Sequence, residues 1–388
     1  MTQEYKLTML TPVHIGSGET LLENLDYSIR EQNFYYHPHQ DLLKTNEHSE
    51  EIYLDINGAN IRSKFERKFG AIRPLNVQIR RGTQIKQHIR SNCELYIPGS
   101  SIKGALKSLY FNYFSKQEYG ISAIKELETY FSKHLGDRNH PQFAESLFTG
   151  QRLNGKSNKD LPEISNLDPF RFVRISDFHS KSTEQNSTIL NIKVLTGFGN
   201  EDPGIHFNQY SIYLESLKKG CQFYGKFSIT NNNDSNKNLL SRLNISKGAE
   251  IDQIHAEGLK NENIISFSRS INLEWIDLEL ESIEKYYTTN PNEEDNINIM
   301  NDSLIDIAEK IEKNKHAIFL RLGMGAGFSM MTGNWHGSPF KNQNNEWASE
   351  FLRTARSRND TFPFFPRSRK IADYTSYLGF VMLEPVST

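Results

Sequence analysis

Residues 96–110 read YIPGSSIKGALKSLY, and this stretch contains the clearest helix signal in the chain. Pro98-Gly99 shapes the start of the helix, and Ser100 or Ser101 can cap it. Beyond this start, apolar side chains recur at helical spacing, which predicts an amphipathic helix with one buried stripe. The stripe consists of Ile102, Leu106, Leu109, Tyr110, Tyr113 and Phe114.

The charges at the start of this helix are unusual. A helix N-terminus carries partial positive charge, so acidic residues normally occupy the first turn. Here Lys103 lies in the first turn and Lys107 one turn later, and no acidic residue lies between Glu94 and Glu118. Such a placement is favourable if an anion occupies the helix N-terminus, and phosphate is the usual one. The pattern therefore predicts phosphate binding, with a capped surface helix as the alternative.

Composition excludes several classes of protein. The chain has 388 residues, a net charge of −2 and two cysteines without a C-x-x-C pair, so neither a disulfide framework nor a thiolate zinc site is expected. Uninterrupted apolar runs stay short of the roughly 18 residues that cross a bilayer. We therefore expect a cytoplasmic protein of two domains with no membrane partner.

The near-neutral total hides strongly charged segments. Residues 62–107 carry eleven basic and two acidic side chains, and Arg80 and Arg81 within them are candidate RNA contacts. Residues 274–312 carry twelve acidic and two basic side chains, and residues 353–370 combine cations with three phenylalanines. Cations beside aromatic rings are typical of surfaces that bind single-stranded nucleic acid, although solvated faces are the alternative. The pattern predicts one RNA-facing surface and a separate acidic surface, either solvated or a docking site.

Hydrophobic periodicity predicts an α+β protein. A polar segment with Gly and Pro, residues 150–166, predicts a domain boundary, and the strands and helices around it suggest a duplicated α+β unit. Strands are predicted at 5–10, 170–178, 188–195, 205–214, 221–229, 317–322 and 377–383, a hairpin at 25–29 and 34–37, and further helices at 264–287 and 302–313.

A glycine-rich segment, RLGMGAGF at residues 321–328, follows a predicted strand. Its G-x-G-x-G spacing differs from the G-x-G-x-x-G dinucleotide pattern, and no βαβ unit surrounds it. Glycines at alternate positions allow close approach of a ligand such as an RNA strand. A tight crossover between packed elements is the alternative.

The segment His14-Ile15-Gly16-Ser17-Gly18 follows the first strand. A loop histidine can act as a general base in ribonuclease chemistry, or donate a hydrogen bond to backbone or phosphate. The histidines at 37, 39 and 48 lack a specific metal-ligand spacing, so we expect no metal and no cofactor.

Together these motifs resemble the RAMP superfamily of CRISPR effector proteins. LTPVHIGSGE (residues 10–19), YIPGSSIKGALKSLY and the glycine-rich segment occur here in that family's order. Within the superfamily the chain looks most like subunit five of the type III-A Csm complex. That narrower resemblance rests on VRISDF (173–178), ESLKKGCQFYGKFSI (215–229) and LGFVMLEP (378–385).

The resemblance implies a fold, a function and partners. The fold would be α+β, with two RRM-like (ferredoxin-like) RAMP domains with insertions, at residues 1–160 with the IPGSSIKG helix and 161–388 with the glycine-rich loop. The protein would cap the backbone filament at the 3′ end of the crRNA and support 3′-end maturation and antiviral defence, without cutting RNA. Its partners would be crRNA, the neighbouring backbone and small subunits, host nucleases and, indirectly, target RNA.

The resemblance also implies site residues. RNA contacts would come from the helix start, the glycine-rich loop and the HIGSG loop, whereas Asp26, near the position of a target-cleaving aspartate in a backbone subunit, is not expected to cleave. The open alternatives are a precursor-crRNA endoribonuclease that uses His14 and a multimerising backbone subunit. The expected RNA-binding residues are His14, Gly16, Ser17, Gly18, Gly99, Ser100, Ser101, Lys103, Lys107, Arg321, Gly323, Gly325 and Gly327, besides Arg80 and Arg81.

Overall fold

The computed structural model describes residues 3–23, 26–30, 33–36, 73–74, 79, 82–91, 94–114, 116–117, 168–182, 186–198, 204–229, 258–287, 293–327 and 368–386. The fold is mixed α/β. The strands are β1 Gln3–Met9, β2 Gly16–Leu21, β3 Tyr27–Arg30, β4 Asn33–Tyr36, β5 Arg73–Pro74, β6 Ile85–His88, β7 Arg90–Ser91, β8 Glu94–Ile97, β9 Val173–Ile175, β10 Phe178–His179, β11 Ser187–Thr196, β12 His206–Leu217, β13 Gln222–Ile229, β14 Ile318–Arg321, β15 Ser368–Ala372 and β16 Phe380–Pro385. The helices are α1 Gly99–Phe114, α2 Asn261–Tyr286 and α3 Glu294–Lys313, and two 3₁₀ turns span Pro169–Phe172 and Gly323–Ala326.

The first sheet has eight strands and brings together strands from near both ends of the chain. Its order is β14-β16-β1-β13-β10-β8-β7, and β9 also pairs with β13. β1 lies antiparallel to β13 and to β16, so Leu7 is paired with Phe223 on one side and with Leu383 on the other. All three side chains are buried, as the alternating pattern of β1 predicts.

The second sheet has the order β15-β11-β12-β6-β2, and the third consists of β3-β4-β5. β12 runs parallel to β6, whereas the other pairs of the second sheet are antiparallel. One face of the second sheet packs against the third, since Ile85 and Ile189 share a buried cluster with Tyr27 and Phe34. The predicted hairpin is confirmed by the antiparallel pairing of β3 with β4.

The helices complete the main core. α1 and α2 pack on each other and on the first sheet, and α3 packs on α2. Tyr113 of α1 stacks on Phe267 of α2, with ring centroids 5.2 Å apart. The Arg269 Nε donates to the carbonyl oxygen of Ile311 at 3.0 Å and ties α2 to α3. Within the described ranges, no helix is long and apolar enough to cross a membrane.

Two local predictions were wrong. Helix α3 begins at Glu294 rather than Asp302, because Glu294 and Asp295 are favourable in a first helical turn although the segment NPNEEDN looks like a breaker. The predicted strand at 170–178 is instead a 3₁₀ turn followed by β9 and β10. Asp168 caps that turn by accepting the N–H of Phe170 at 2.9 Å, and Pro169 favours its first position.

The predicted domain boundary at 150–166 lies outside the described residues. Strands from both sides of it share sheets, because β1 pairs with β13 in the first sheet and β6 with β12 in the second. Neither sheet therefore divides at residue 160.

Candidate nucleic-acid interface

Three motifs that lie far apart in the sequence meet around His14 and His88. The N–H of Ile15 donates to His88 Nδ1 at 3.1 Å, and His88 Nε2 donates to the carbonyl oxygen of Tyr96 at 3.4 Å. On the other side, the N–H of Met324 donates to the carbonyl oxygen of His14 at 3.0 Å. The HIGSG loop therefore contacts the glycine-rich loop directly and is linked through His88 to the strand that leads into α1.

His14 is held inside this arrangement. Its side chain is 2% exposed, its Nδ1 donates to the carbonyl oxygen of Glu215 at 2.6 Å, and its ring meets that of His88 edge-on at 6.0 Å. Burial lowers the pKa of His14, and burial lowers the pKa of His88 to about 4. Both rings are neutral at pH 7, and the geometry makes His14 a fixed structural group of the loop rather than a base open to a ligand.

A buried ion pair, which the sequence reasoning missed, supports the two histidines. Glu215 is fully buried, pairs with Arg90, and accepts the N–H of His88 at 3.2 Å. A buried carboxylate is stable only when its oxygens are paired in this way. The signal in the sequence was an acidic residue inside the otherwise apolar end of a strand, and His88 itself carried no motif that could have identified it.

The N-terminus of α1 is occupied by the protein itself. The N–H of Gly99 donates to Asp177 Oδ1 at 2.8 Å. A Cβ on Gly99 would lie 2.4 Å from the carbonyl oxygen of Ile175, so the turn between β9 and β10 covers this end of the helix. Asp177 thus supplies the anion that the charge pattern requires. The expected phosphate at this position, and the expected RNA contact by Gly99, are not supported.

The two lysines of α1 have different surroundings. Lys107 Nζ donates to Asp168 Oδ2 at 2.6 Å, and its side chain is only 14% exposed. Lys107 is therefore a structural cation that fixes the segment before β9. Lys103 is half-buried and forms no ion pair with another described residue, Ser100 is exposed, and Ser101 is half-buried. Ser100, Ser101 and Lys103 are therefore all at least partly exposed on the first turns of the helix.

The glycines of the loop after β14 are explained by contacts within the protein. A Cβ on Gly323 would lie 2.0 Å from the carbonyl oxygen of His14, and one on Gly325 would lie 2.0 Å from that of Leu378. Both glycines thus permit a tight crossover between packed elements, which is the alternative that the spacing left open. Gly327, with φ +66° and open space beside it, is the loop glycine that faces away from these contacts.

Arg321 also stabilises the glycine-rich loop, from a buried position in the core. It is 6% exposed, its guanidinium carbon lies 3.9 Å from the ring centroid of Trp275 and 4.6 Å from that of Phe380, and it donates to the carbonyl oxygen of Gly325. Burial lowers the pKa of Arg321 to about 10, which still leaves it charged. The charge of Arg321 is thus used inside the core, so its burial does not support the expected contact with RNA.

Part of the acidic segment is paired with cations inside and at the surface of the protein. Glu279 of the acidic segment is 3% exposed and accepts from Arg369 Nε at 2.5 Å and from the Tyr377 hydroxyl at 2.7 Å. At the surface, Glu274 pairs with Lys116, just beyond α1. The acidic helix α2 therefore pairs with Arg369 of the 353–370 segment and with Lys116 outside both basic segments, and the predicted separation from residues 62–107 stays a prediction.

Three predicted residues of the HIGSG loop remain exposed, namely Gly16, Ser17 and Gly18. Gly16 is paired with His88 across β2 and β6, and the Ser17 hydroxyl lies 3.3 Å from the backbone oxygen of Gln87. Arg80 and Arg81, like the histidines at 37, 39 and 48, lie outside the described residues. Among the described residues, no group of three or more His, Cys, Asp or Glu side chains could hold a metal ion.

Comparison with known proteins supports the resemblance read from the motifs. The chain is 26% identical over 348 residues to the CRISPR system Cms protein Csm5 of Methanocaldococcus jannaschii, covering 84% of this chain and 72% of that protein. It is also similar to a chain in the cryo-EM structure of a Csm-crRNA-target RNA ternary complex of a type III-A CRISPR-Cas system. The TM-score is 0.59 at 18% sequence identity, and the match covers 99% of this chain and 100% of that chain. The crystal structure of T. onnurineus Csm5 matches with a TM-score of 0.56 and 18% sequence identity, covering 97% of this chain and 99% of that chain.

These structures share the fold of this chain. The sequence pattern of the RAMP superfamily matches residues 6–328, a range that includes the HIGSG loop, helix α1 and the whole glycine-rich segment. Since the three motifs on which the resemblance was based also meet in space, the chain belongs to the RAMP superfamily.

Proposed function

We propose that this chain is a crRNA-binding subunit of a type III-A CRISPR effector complex. The observation that carries the proposal is the similarity to Csm5 along 84% of the chain. The shared fold with a chain of a Csm-crRNA-target RNA complex agrees with it. In the proposed assembly the subunit caps the backbone filament at the 3′ end of the crRNA and supports maturation of that end.

The RNA-binding surface of the proposal lies around the HIGSG loop and the first turns of α1. Ser17, Gly18 and Ser100 are exposed there, and Lys103 brings a positive charge. Because a guide RNA varies in its spacer sequence, its recognition has to rely on phosphates and sugars rather than on base edges. We therefore expect little sequence preference for the spacer-derived part.

The proposed subunit acts by binding rather than by cleavage. The burial of His14, with its Nδ1 bonded to a backbone oxygen, supports binding over an endoribonuclease that uses His14. Asp26 Oδ2 accepts the N–H of Leu22 at 2.8 Å, which is a turn-forming contact rather than a catalytic arrangement. Proposed partners are crRNA, the neighbouring backbone and small subunits, recruited host nucleases and, through the complex, target RNA.

The proposal includes two RRM-like units, but not with the limits 1–160 and 161–388. Units based on the two larger sheets would each draw strands from both sides of residue 160, because β1 pairs with β13 and β6 with β12.

The proposal is tested with Lys103→Glu in the assembled complex. Lys107 is left unchanged, because its replacement would break the contact with Asp168 and confuse folding with binding. We expect less crRNA per complex, or crRNA with an untrimmed 3′ end. Lys315→Glu is the matched control, since Lys315 is exposed in the turn before β14, at the other end of that strand from the glycine-rich loop. Normal crRNA content and length in the Lys103→Glu complex would contradict the proposal.

Two further measurements separate the alternatives. His14-dependent cleavage of precursor RNA by the isolated chain in EDTA, absent in His14→Ala, would favour the endoribonuclease. Several copies of the chain in the mass of the assembled complex, rather than one, would favour a multimerising backbone subunit.

A further inference from the structure

The second sheet has a face that the proposed RNA surface does not include. Lys86 on β6 is paired with Leu214. Lys370 on β15 is paired with Val194 and lies two residues before Ala372 on the same strand. Because side chains alternate along a strand, both lysines share one face with the apolar residues of the central strands. That apolar group consists of Leu190, Ile192, Leu214 and Ala372, which pack against Leu378 and Met324.

This face is adjacent to the loops already described. Met324 bonds to the carbonyl oxygen of His14, and Lys86 lies two residues before His88, whose ring contacts that of His14. Both lysines are exposed at their ends. The cluster therefore lies where the HIGSG loop, the glycine-rich loop and the second sheet meet.

The electrostatics of the cluster are unbalanced. Lys86 and Lys370 both contribute to the lowered pKa of His14, after burial as the main cause, and burial followed by the charge of Lys86 lowers the pKa of Lys370. Within the described part of the chain, neither lysine has a hydrogen-bond or ion-pair partner. Two like charges beside an apolar surface are unfavourable unless an anion neutralises them.

We propose that Lys86 and Lys370 together bind one backbone phosphate of single-stranded RNA. The inference rests on the proposed function and adds a contact to it. Lys86 and Lys370 lie on the strands that flank β11 and β12 and share one face of the sheet, so they can approach one phosphate from two directions. The site differs from the N-terminus of α1, where Asp177 already supplies the negative charge.

The test uses the full chain, a fluorescent 20-nucleotide RNA in two unrelated sequences, and a salt titration. Lys86→Met with Lys370→Met removes both charges and keeps the apolar stems. We expect the affinity for both sequences to fall by about fivefold or more at about 0.1 M salt, and the slope of log K against log salt to become shallower by about 0.7, the value of one single-strand phosphate.

Two control variants keep the result interpretable. Lys226→Met with Lys315→Met removes two exposed charges elsewhere, and its salt slope should equal that of the wild type. Lys86→Arg with Lys370→Arg keeps the charges and should retain the wild-type slope. Thermal unfolding of each variant checks the fold, and loss of two mutually repelling charges should not lower the midpoint.

The outcomes distinguish this inference from the proposed function. If the wild type binds RNA and the methionine variant has the same affinity and salt slope, the lysine pair is not a phosphate site and the proposed function stands. If Lys226→Met with Lys315→Met loses as much RNA affinity as Lys86→Met with Lys370→Met, the effect is due to net charge and the inference fails. If the wild type binds no RNA, alone or in the complex, both the inference and the proposed function fail.

Discussion

Acidification is expected to destabilise this protein through His88. The side chain is fully buried, and burial lowers its pKa to about 4, whereas a histidine in an unfolded chain has a pKa of about 6.5. The folded state therefore disfavours the proton that the unfolded state accepts. This contribution to stability is complete above about pH 6.5 and is lost as the pH falls from there toward about 4. Between pH 7 and pH 5, His88 alone should lower the free energy of unfolding by about 2 kcal/mol.

Urea unfolding at pH 7 and pH 5, followed by circular dichroism, measures this effect. His88→Asn removes the titrating ring and costs stability at pH 7, because the carbonyl oxygen of Tyr96 loses its donor. Its free energy of unfolding should nevertheless change by about 2 kcal/mol less than that of the wild type between the two pH values. His316→Asn, at an exposed position, controls for the loss of a histidine. The same pH dependence in His88→Asn and in the wild type would refute the reasoning.

Two further predictions concern the glycine-rich loop and the ion pair of the acidic helix. Gly325→Ala should cost more than about 2 kcal/mol, because its Cβ would meet the carbonyl oxygen of Leu378 at 2.0 Å, whereas Gly16→Ala should cost less than about 1 kcal/mol, because the nearest atom to its Cβ would be His14 Nε2 at 3.4 Å. Equal thermal shifts for both would show that the crossover is not tight. Arg369→Met should cost about 3 to 5 kcal/mol in urea unfolding, because Glu279 is left charged and buried, and adding Glu279→Gln should restore part of the loss. Lys313→Met breaks an exposed ion pair and serves as the comparison. If Arg369→Met lowers the free energy of unfolding no more than Lys313→Met does, the burial of the Arg369–Glu279 pair is contradicted.

Local patterns predicted most of the regular elements because periodicity reports directly which side of an element is buried. Helix α1 and strands β1, β11 and β13 follow from alternating or helical spacing. The order of strands in the sheets does not follow from such patterns, because it depends on pairings between residues hundreds of positions apart. The pairing of β1 with β16 is an example.

The candidate site was predicted in its segments but not in the roles of its residues. Motif chemistry located the HIGSG loop, α1 and the glycine-rich loop, and these do meet. A sequence pattern does not show which charges are already neutralised inside the protein. Asp177 at the helix N-terminus, Asp168 on Lys107 and Trp275 under Arg321 each supply a partner that only the folded chain reveals.

The position of β1 in the first sheet has a consequence for synthesis on the ribosome. β1 has both of its edges paired only when β16 has emerged, some 370 residues later. At typical rates of about 5 to 20 residues per second, β1 waits roughly 20 to 70 seconds with at least one edge unpaired, because its other partner β13 also follows it in the chain. An unpaired strand edge can pair with other chains, so the nascent protein is most exposed to misassembly before its C-terminal strand is complete. A C-terminal tag or truncation that disturbs β16 would prolong that period indefinitely.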